Sequence, residues 1–226
     1  MALLERSAQA PGSVQQFHTE DAIRTAILEL EPDIVCFQEL PNMVPFVETL
    51  DLLQATTTSH SGRLATLVAK DTLGKAKPEI KAVDRIGLLA TFPETTNRPA
   101  FTVGNVHLEP GKGGAGRRLE QLGELVSQSP TERLLVAGDT NTRIADVALI
   151  EEAGFATPKP PRSTWNSRKN KFRAGGNEFT AYFTRMFASP GIEIGEQLVH
   201  DVPAEVDGSQ FYWSDHFALS ATISVS

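Results

Sequence analysis

The chain has 226 residues, 40% of them apolar, and a net charge of −7. That is enough for one large domain, residues 1–226, since no linker, repeat or low-complexity stretch divides it, and the acidic balance argues against a protein that coats nucleic acid nonspecifically. The single Cys36 excludes an internal disulfide and a Cys-rich zinc site; with no apolar run near the ~18 residues of a membrane span and no signal-peptide pattern after Met1, a cytoplasmic protein is expected.

Thr19 is placed to cap a helix, with Glu20 and Asp21 in its first turn, where the helix dipole favours acids. Ile23, Ala26, Ile27 and Leu30 follow at helical spacing, and Pro32 ends the element. Ile34-Val35-Cys36-Phe37 reads as a strand that ends in Gln38-Glu39, with Cys36 a core residue. Pro41 to Leu50 reads as a short helix, and Gly62 to Ala69 and Asp84 to Phe92 as strands. In Phe101 to His107, strand alternation puts Val103, Asn105 and His107 on one face, so a carboxamide and an imidazole point the same way. Gly111-Lys112-Gly113-Gly114 is a turn in preference to a phosphate cradle. Leu119, Leu122, Leu125 and Val126 mark another amphipathic helix.

Leu134 to Ala137 is an apolar run that stops at Gly138-Asp139-Thr140-Asn141, a buried strand ending in a turn. Ala145 to Ala153 is expected to be helical, with Gly154 at its end, and three prolines then interrupt regular structure between Pro158 and Pro161. From Arg162 to Arg173 there are five basic residues and no acid, with Trp165 and Phe172 among them. Cations interleaved with aromatics can hold phosphates while stacking on bases, or the stretch is a solvated loop with its rings folded inward. Trp213-Ser214-Asp215-His216 precedes the apolar Phe217-Ala218-Leu219. Helices and strands thus alternate, as in an α/β or α+β domain. Four strand ends carry Asp, Glu, Asn or His, where such groups can meet a phosphate, a metal or a water.

Gln38-Glu39, Asn105-Val106-His107-Leu108, Gly138-Asp139-Thr140-Asn141 and Ser214-Asp215-His216 occur in the order and approximate spacing of the endonuclease/exonuclease/phosphatase superfamily, which the chain resembles over roughly residues 20–222. Within that group it looks most like the 5′-tyrosyl-DNA phosphodiesterase branch. The finer likeness rests on His107-Leu108-Glu109, the run from Gly138 to Arg143, and Thr164-Trp165-Asn166-Ser167 followed by Asn170. The resemblance implies an α+β fold, a four-layered sandwich of two packed, mainly antiparallel β-sheets with outer helices. It also exposes two departures. Family members begin with a strand ending in Asn, whereas Met1 to Arg6 looks like the loop after it, so the first strand is expected to be missing. And Thr184, in Phe183-Thr184-Arg185-Met186, stands where the family has an Asp that supports the catalytic His.

What the resemblance implies for chemistry is a phosphoester hydrolase using Mg²⁺ or Mn²⁺. Glu39 would bind the metal, with Asp215 supporting that site or the neighbouring ring. Asp139 would orient or deprotonate water, with Asn141 holding water and phosphate, and His216 would donate to a phosphoryl oxygen. Asn105 and His107 would contact phosphate, and Arg143 could add a bidentate contact. Trp165 would wall the organic part of the substrate or pin its own loop, and Asn170 would be a polar contact beside it. The expected function is a Mg²⁺-dependent phosphodiesterase, with single-stranded DNA 5′ ends as one substrate. A hydrolase of small phosphoesters, or a non-catalytic phosphate-binding protein with a degraded site, are the alternatives.

Overall fold

Ile34 and Cys36 face one way along their strand and Val35 and Phe37 the other, yet all four are buried. A strand covered on both faces has to lie in an inner layer. The computed structural model describes residues 2–5, 23–40, 52–59, 62–69, 77–169, 178–206, 209–212 and 214–226, and it shows why. With strands numbered in chain order, one sheet has six, in the order β12 (Ile192–His200), β15 (Ala218–Val225), β1 (Ala2–Glu5), β2 (Ile34–Leu40), β4 (Gly62–Ala69) and β3 (Leu52–Ser59). A second has five, in the order β11 (Thr184–Ala188), β8 (Leu134–Asp139), β7 (Phe101–His107), β6 (Gly87–Phe92) and β5 (Glu79–Val83). Two short pairs lie outside these sheets: β9 (Trp165–Asn166) with β10 (Thr180–Ala181), and β13 (Ala204–Val206) with β14 (Ser209–Phe211).

The sheets pack face to face over a single cluster. Ile34, Cys36, Val68 and Leu219 from the first meet Phe92, Phe101, Val103, Leu135, Ala137 and Met186 from the second. The Phe92 and Phe101 rings stack at 4.7 Å. Each Ile, Val, Leu, Phe or Met side chain among them contributes about 1.5–3 kcal/mol by leaving water. Cys36 is in this layer, and burial pushes its thiol up to about 12. Residues 23–30 form α1, whose Ile23 and Ile27 cover Val35, Phe37, Ala65, Leu67 and Ala218 on the outside of the first sheet. Two more helices, α2 (Ala115–Gln128) and α3 (Ile144–Glu152), cover the outside of the second, through Leu122, Leu125 and Ile150 against Leu89, Val106, Val136 and Phe187. The result is the four-layered sandwich, helix on sheet on sheet on helix. Pairing is antiparallel except between β1 and β2 and between β7 and β8.

The expectation of a missing first strand is corrected. Ala2–Glu5 forms β1 in the middle of the six-stranded sheet, parallel to β2 and antiparallel to β15. Its register sets Glu5 beside Gln38, so an acid residue ends the strand where the family pattern has Asn. Four residues carry no periodicity to read; partners from β2 and β15, distant in sequence, make them a strand. The strands β3 and β5 were also not expected. The stretch from Asp84 divides, because Ile86 N donates to Val83 O across a turn with Arg85 at φ 54°, and β6 starts only at Gly87. The proposed cap at Thr19 and the helix over Pro41 to Leu50 lie outside the described residues.

Two glycines show how local geometry is set. Gly138 has φ 144°, and a Cβ there would sit 2.2 Å from Val106 O and 3.1 Å from the Gln38 side chain. Gly123 is in α2 with nothing within 4 Å of an added Cβ. Gly138→Ala is therefore expected to cost about 2 kcal/mol or more in denaturant melts. Gly123→Ala should stabilise by about 0.5–1 kcal/mol, through helix propensity alone.

Candidate active site

The apolar alternation between the sheets turns polar at one rim. Gln38 continues Ile34 and Cys36, Asn105 and His107 continue Phe101 and Val103, Asp139 continues Leu135 and Ala137, and Thr184 leads into Met186 and Ala188. Parallel pairing of β7 and β8 puts His107 level with Asp139, and antiparallel pairing of β11 and β8 puts Thr184 level with Asp139 from the other side. Simple alternation would send Glu39 to the opposite face from Gln38. It does not, because Glu39 adopts φ 56° where the β2–β4 register shifts between Phe37 and Leu40. Such irregularities re-aim a side chain, and a left-handed non-glycine residue costs on the order of 1–3 kcal/mol.

The outcome is a chain of groups. His107 Nδ1 is 3.9 Å from Glu39 Oε1, and His107 Nε2 is 3.3 Å from Asp139 Oδ2. Asp139 is further held by Asn141, whose backbone N–H donates to Oδ1 at 2.9 Å and whose Nδ2 donates to Oδ2 at 2.8 Å. The same Nδ2 donates to Leu108 O at 3.1 Å, which ties the β8 end to the residue after His107. Asn141 reaches both partners from φ 50°, a conformation Asn tolerates. Thus Glu39, His107, Asp139 and Asn141 come together at this rim.

Asn105 does not join them. It has no solvent exposure. Its Nδ2 lies within hydrogen-bond distance of Phe37 O, Ala65 O and Thr66 Oγ1, and its Oδ1 accepts from Gln38 Nε2 at 2.7 Å. The expected phosphate contact is corrected: Asn105 shares the face of His107 but lies two residues deeper, where the opposite sheet uses its hydrogen-bonding capacity.

His216 lies between β11 and the Trp165 strand. Thr184 Oγ1 is 2.9 Å from its Nδ1, Ser214 Oγ accepts its backbone N–H, and an isolated bridge pairs it with Trp165. Asp215 is half-buried on the same segment. Arg143 leads into α3, and its backbone N–H donates to Asp146 at 2.8 Å. Its guanidinium stacks 4.8 Å from the Phe183 ring, which is 6.1 Å from the His216 ring, and its buried Nε has no hydrogen-bond partner among the described residues. The Phe183 ring thus contacts both the Arg143 cation and the His216 ring.

Trp165 is only 5% exposed and stacks under Phe179 at 4.4 Å, while Phe179 is 43% exposed. The geometry matches the loop-anchor alternative for Trp165, and the ring facing solvent is Phe179. Asn170 lies outside the described residues. Three cations of the basic stretch are engaged: Arg162 and Lys169 with Asp201, and Arg168 with Glu178. The Asp201 hydrogen bond holds the Lys169 ammonium above its usual range.

A buried ion pair supports both loops of the site. Arg118 Nε donates to Asp146 Oδ2 at 2.9 Å, and its Nη1 donates to Glu109 O and Gly111 O, each at 2.9 Å. Removing one partner of such a pair typically costs about 3–5 kcal/mol. Sequence reading missed this pair, although Arg118 falls on the stripe of α2 shared by Leu122 and Leu125. It also missed Phe179 and the Gln38–Asn105 link, for which no local pattern exists. The Gly111 to Gly114 segment is indeed a turn, part of it a short 3₁₀ helix.

No family model matches the sequence, and no curated protein does. Solved structures do. A D. rerio TDP2 complexed with a single-strand DNA product is 18% identical, with a TM-score of 0.77 over 100% of this chain and 99% of that one. A truncated Caenorhabditis elegans TDP2 is 17% identical, with a TM-score of 0.71 over 100% of this chain and 97% of that one. An endonuclease/exonuclease/phosphatase from Bacteroides vulgatus is 16% identical, with a TM-score of 0.71 over 100% and 98%. The chain therefore has the endonuclease/exonuclease/phosphatase fold, in a form shared with TDP2.

Asn105→Ala should destabilise the protein by about 3 kcal/mol in urea melts, because it strips buried groups of their partner. Arg168→Ala, which removes an exposed ion pair, should change stability by less than about 1 kcal/mol.

Proposed function

We propose that the protein is a Mg²⁺-dependent phosphodiesterase acting on the 5′ ends of single-stranded DNA. The observation that carries this reading is the line Glu39–His107–Asp139–Asn141 at the rim of a fold shared with phosphoester-processing proteins. Phosphoester hydrolysis needs neutralised phosphate charge, an aligned water and a stabilised transition state. The rim has a residue type for each need.

Among the described residues no three His, Cys, Asp or Glu side chains form a ready metal cage. Mg²⁺ does not require one: it takes one or two carboxylates, keeps several waters and shares the substrate phosphate. The hard carboxylate of Glu39, next in sequence to a buried Gln38 Oε1 that has no hydrogen-bond partner among the described residues, fits that demand. When bound there, the ion would offset phosphate charge and polarise a phosphoryl oxygen. Asp139, with Asn141 holding both its oxygens, is an oriented acceptor for a proton of the attacking water. His107 spans the two carboxylates and holds their spacing. His216 donates a hydrogen bond to a phosphoryl oxygen, and Arg143 supplies a cation beside it. Phe179, stacked on Trp165, offers a face for a base. The D. rerio TDP2 bound to single-strand DNA product motivates the substrate class.

One observation favours the second reading, a hydrolase of small phosphoesters. Arg162, Arg168 and Lys169 are already paired with acids and so offer less to a long polyanion.

Bis(p-nitrophenyl) phosphate with Mg²⁺, with and without EDTA, tests the chemistry. Inhibition by single-stranded DNA decides between the substrate classes. Glu39→Gln is expected to weaken Mg²⁺ binding in calorimetry. Asp139→Asn and His216→Ala should each lower turnover by about 10² or more while circular dichroism stays native. Wild-type turnover in EDTA would refute the metal dependence.

A further inference from the structure

Thr184 differs from the carboxylate that the family pattern places beside the catalytic imidazole, and the structure gives the difference a chemical meaning. Its side chain is 1% exposed, and Oγ1 lies 2.9 Å from His216 Nδ1. The Thr184 backbone N–H is occupied by Thr164 Oγ1 at 3.0 Å. Among the described residues, the hydroxyl has one hydrogen-bond partner, the imidazole nitrogen. A buried hydroxyl that does not donate forfeits a hydrogen bond and leaves its proton desolvated. A neutral imidazole has one nitrogen that donates and one that accepts.

We infer that Thr184 donates to Nδ1 and so fixes His216 as the neutral tautomer with its hydrogen on Nε2. A carboxylate in this position does the reverse. It can only accept, so it holds the hydrogen on Nδ1, and Nε2 then donates only when the ring is a cation. Thr184 lets His216 be a hydrogen-bond donor without net charge. Among the described residues, the charged groups nearest in the fold are Asp215 on its own segment, Asp139 on β8 level with Thr184, and Arg143 on the far side of Phe183. Phe183 and the Trp165 backbone also flank it. Thr184 is a positioning residue: it acts on substrate only through the ring. This rests on the reading of His216 as a phosphoryl-oxygen donor.

The test is long-range ¹H–¹⁵N correlation on metal-free, histidine-labelled protein at pH 8, with His216 assigned among the five histidines by His216→Gln. The wild type should show a protonated Nε2 and a bare, hydrogen-bonded Nδ1. Thr184→Asp should place a proton on Nδ1. Thr184→Val should move the Nδ1 resonance toward that of an imidazole nitrogen with no bond, and Thr184→Ser should leave it in place. A protonated Nδ1 in the wild type overturns the inference without need of any variant. So does an Nδ1 resonance unchanged by Thr184→Val, or a bare Nδ1 in Thr184→Asp. Turnover is measured separately. The expected tautomer in a protein that hydrolyses no phosphoester leaves this inference standing and removes the proposed activity.

Discussion

The site depends on a hydrogen-bonded crosspiece between the two sheets. Asn105 leaves β7 and binds groups of β2 and β4 through one amide nitrogen, while Gln38 of β2 returns a bond to its oxygen. A carboxamide so placed is costly to bury unless it is satisfied, and these partners satisfy it from the other sheet. The crosspiece sets the sheet separation one layer below His107 and Asp139. Gly138 belongs to the same constraint, since a side chain there would collide with Val106 and crowd Gln38. Below this level the sheets meet through apolar contacts, and above it through groups with chemistry.

The polar rim lies where the period-two pattern stays intact but its chemistry changes. Val103, Asn105 and His107 form one row, and Leu135, Ala137 and Asp139 another. The packed core beneath them positions these polar ends. Glu39 is the exception that completes the set, because a left-handed backbone and a register shift turn it toward His107. Strain of that kind persists only where surrounding structure over-determines it. Here the parallel neighbour β1 and the antiparallel neighbour β4 hold β2 from both sides.

The loops above the rim are held by charge. Arg118 and Asp146 are both buried, and their partners lie in the loop after β7 and at the start of α3. One ion pair thereby fixes the exits of both strands that carry His107 and Asp139. Desolvation makes such a pair a poor source of net stability, so its consequence here is geometric. Asp201 likewise gathers Arg162, Lys169 and Tyr212. An acidic protein thus neutralises much of its described basic stretch and leaves Arg143 supported by an aromatic ring.

Sequence alone determined what short-range periodicity and residue chemistry can carry. The helices over residues 23–30 and Ala115–Gln128 were legible from apolar spacing, the Ile144–Glu152 helix as a stretch closed by Gly154, β2 and β8 from apolar runs that stop at polar residues, and β7 from its alternation. The motifs around Glu39, His107, Asp139 and His216 pointed to one rim and one fold. Tertiary structure decided the rest. It made Ala2–Glu5 a central strand, since a four-residue strand is defined by its neighbours rather than by its own pattern. It separated Asn105 from His107, because alternation gives the face of a side chain but not its depth between sheets. It buried Trp165 and exposed Phe179, a choice made by ring packing across more than ten residues of chain. And it turned Glu39 through a backbone conformation that no side-chain pattern encodes.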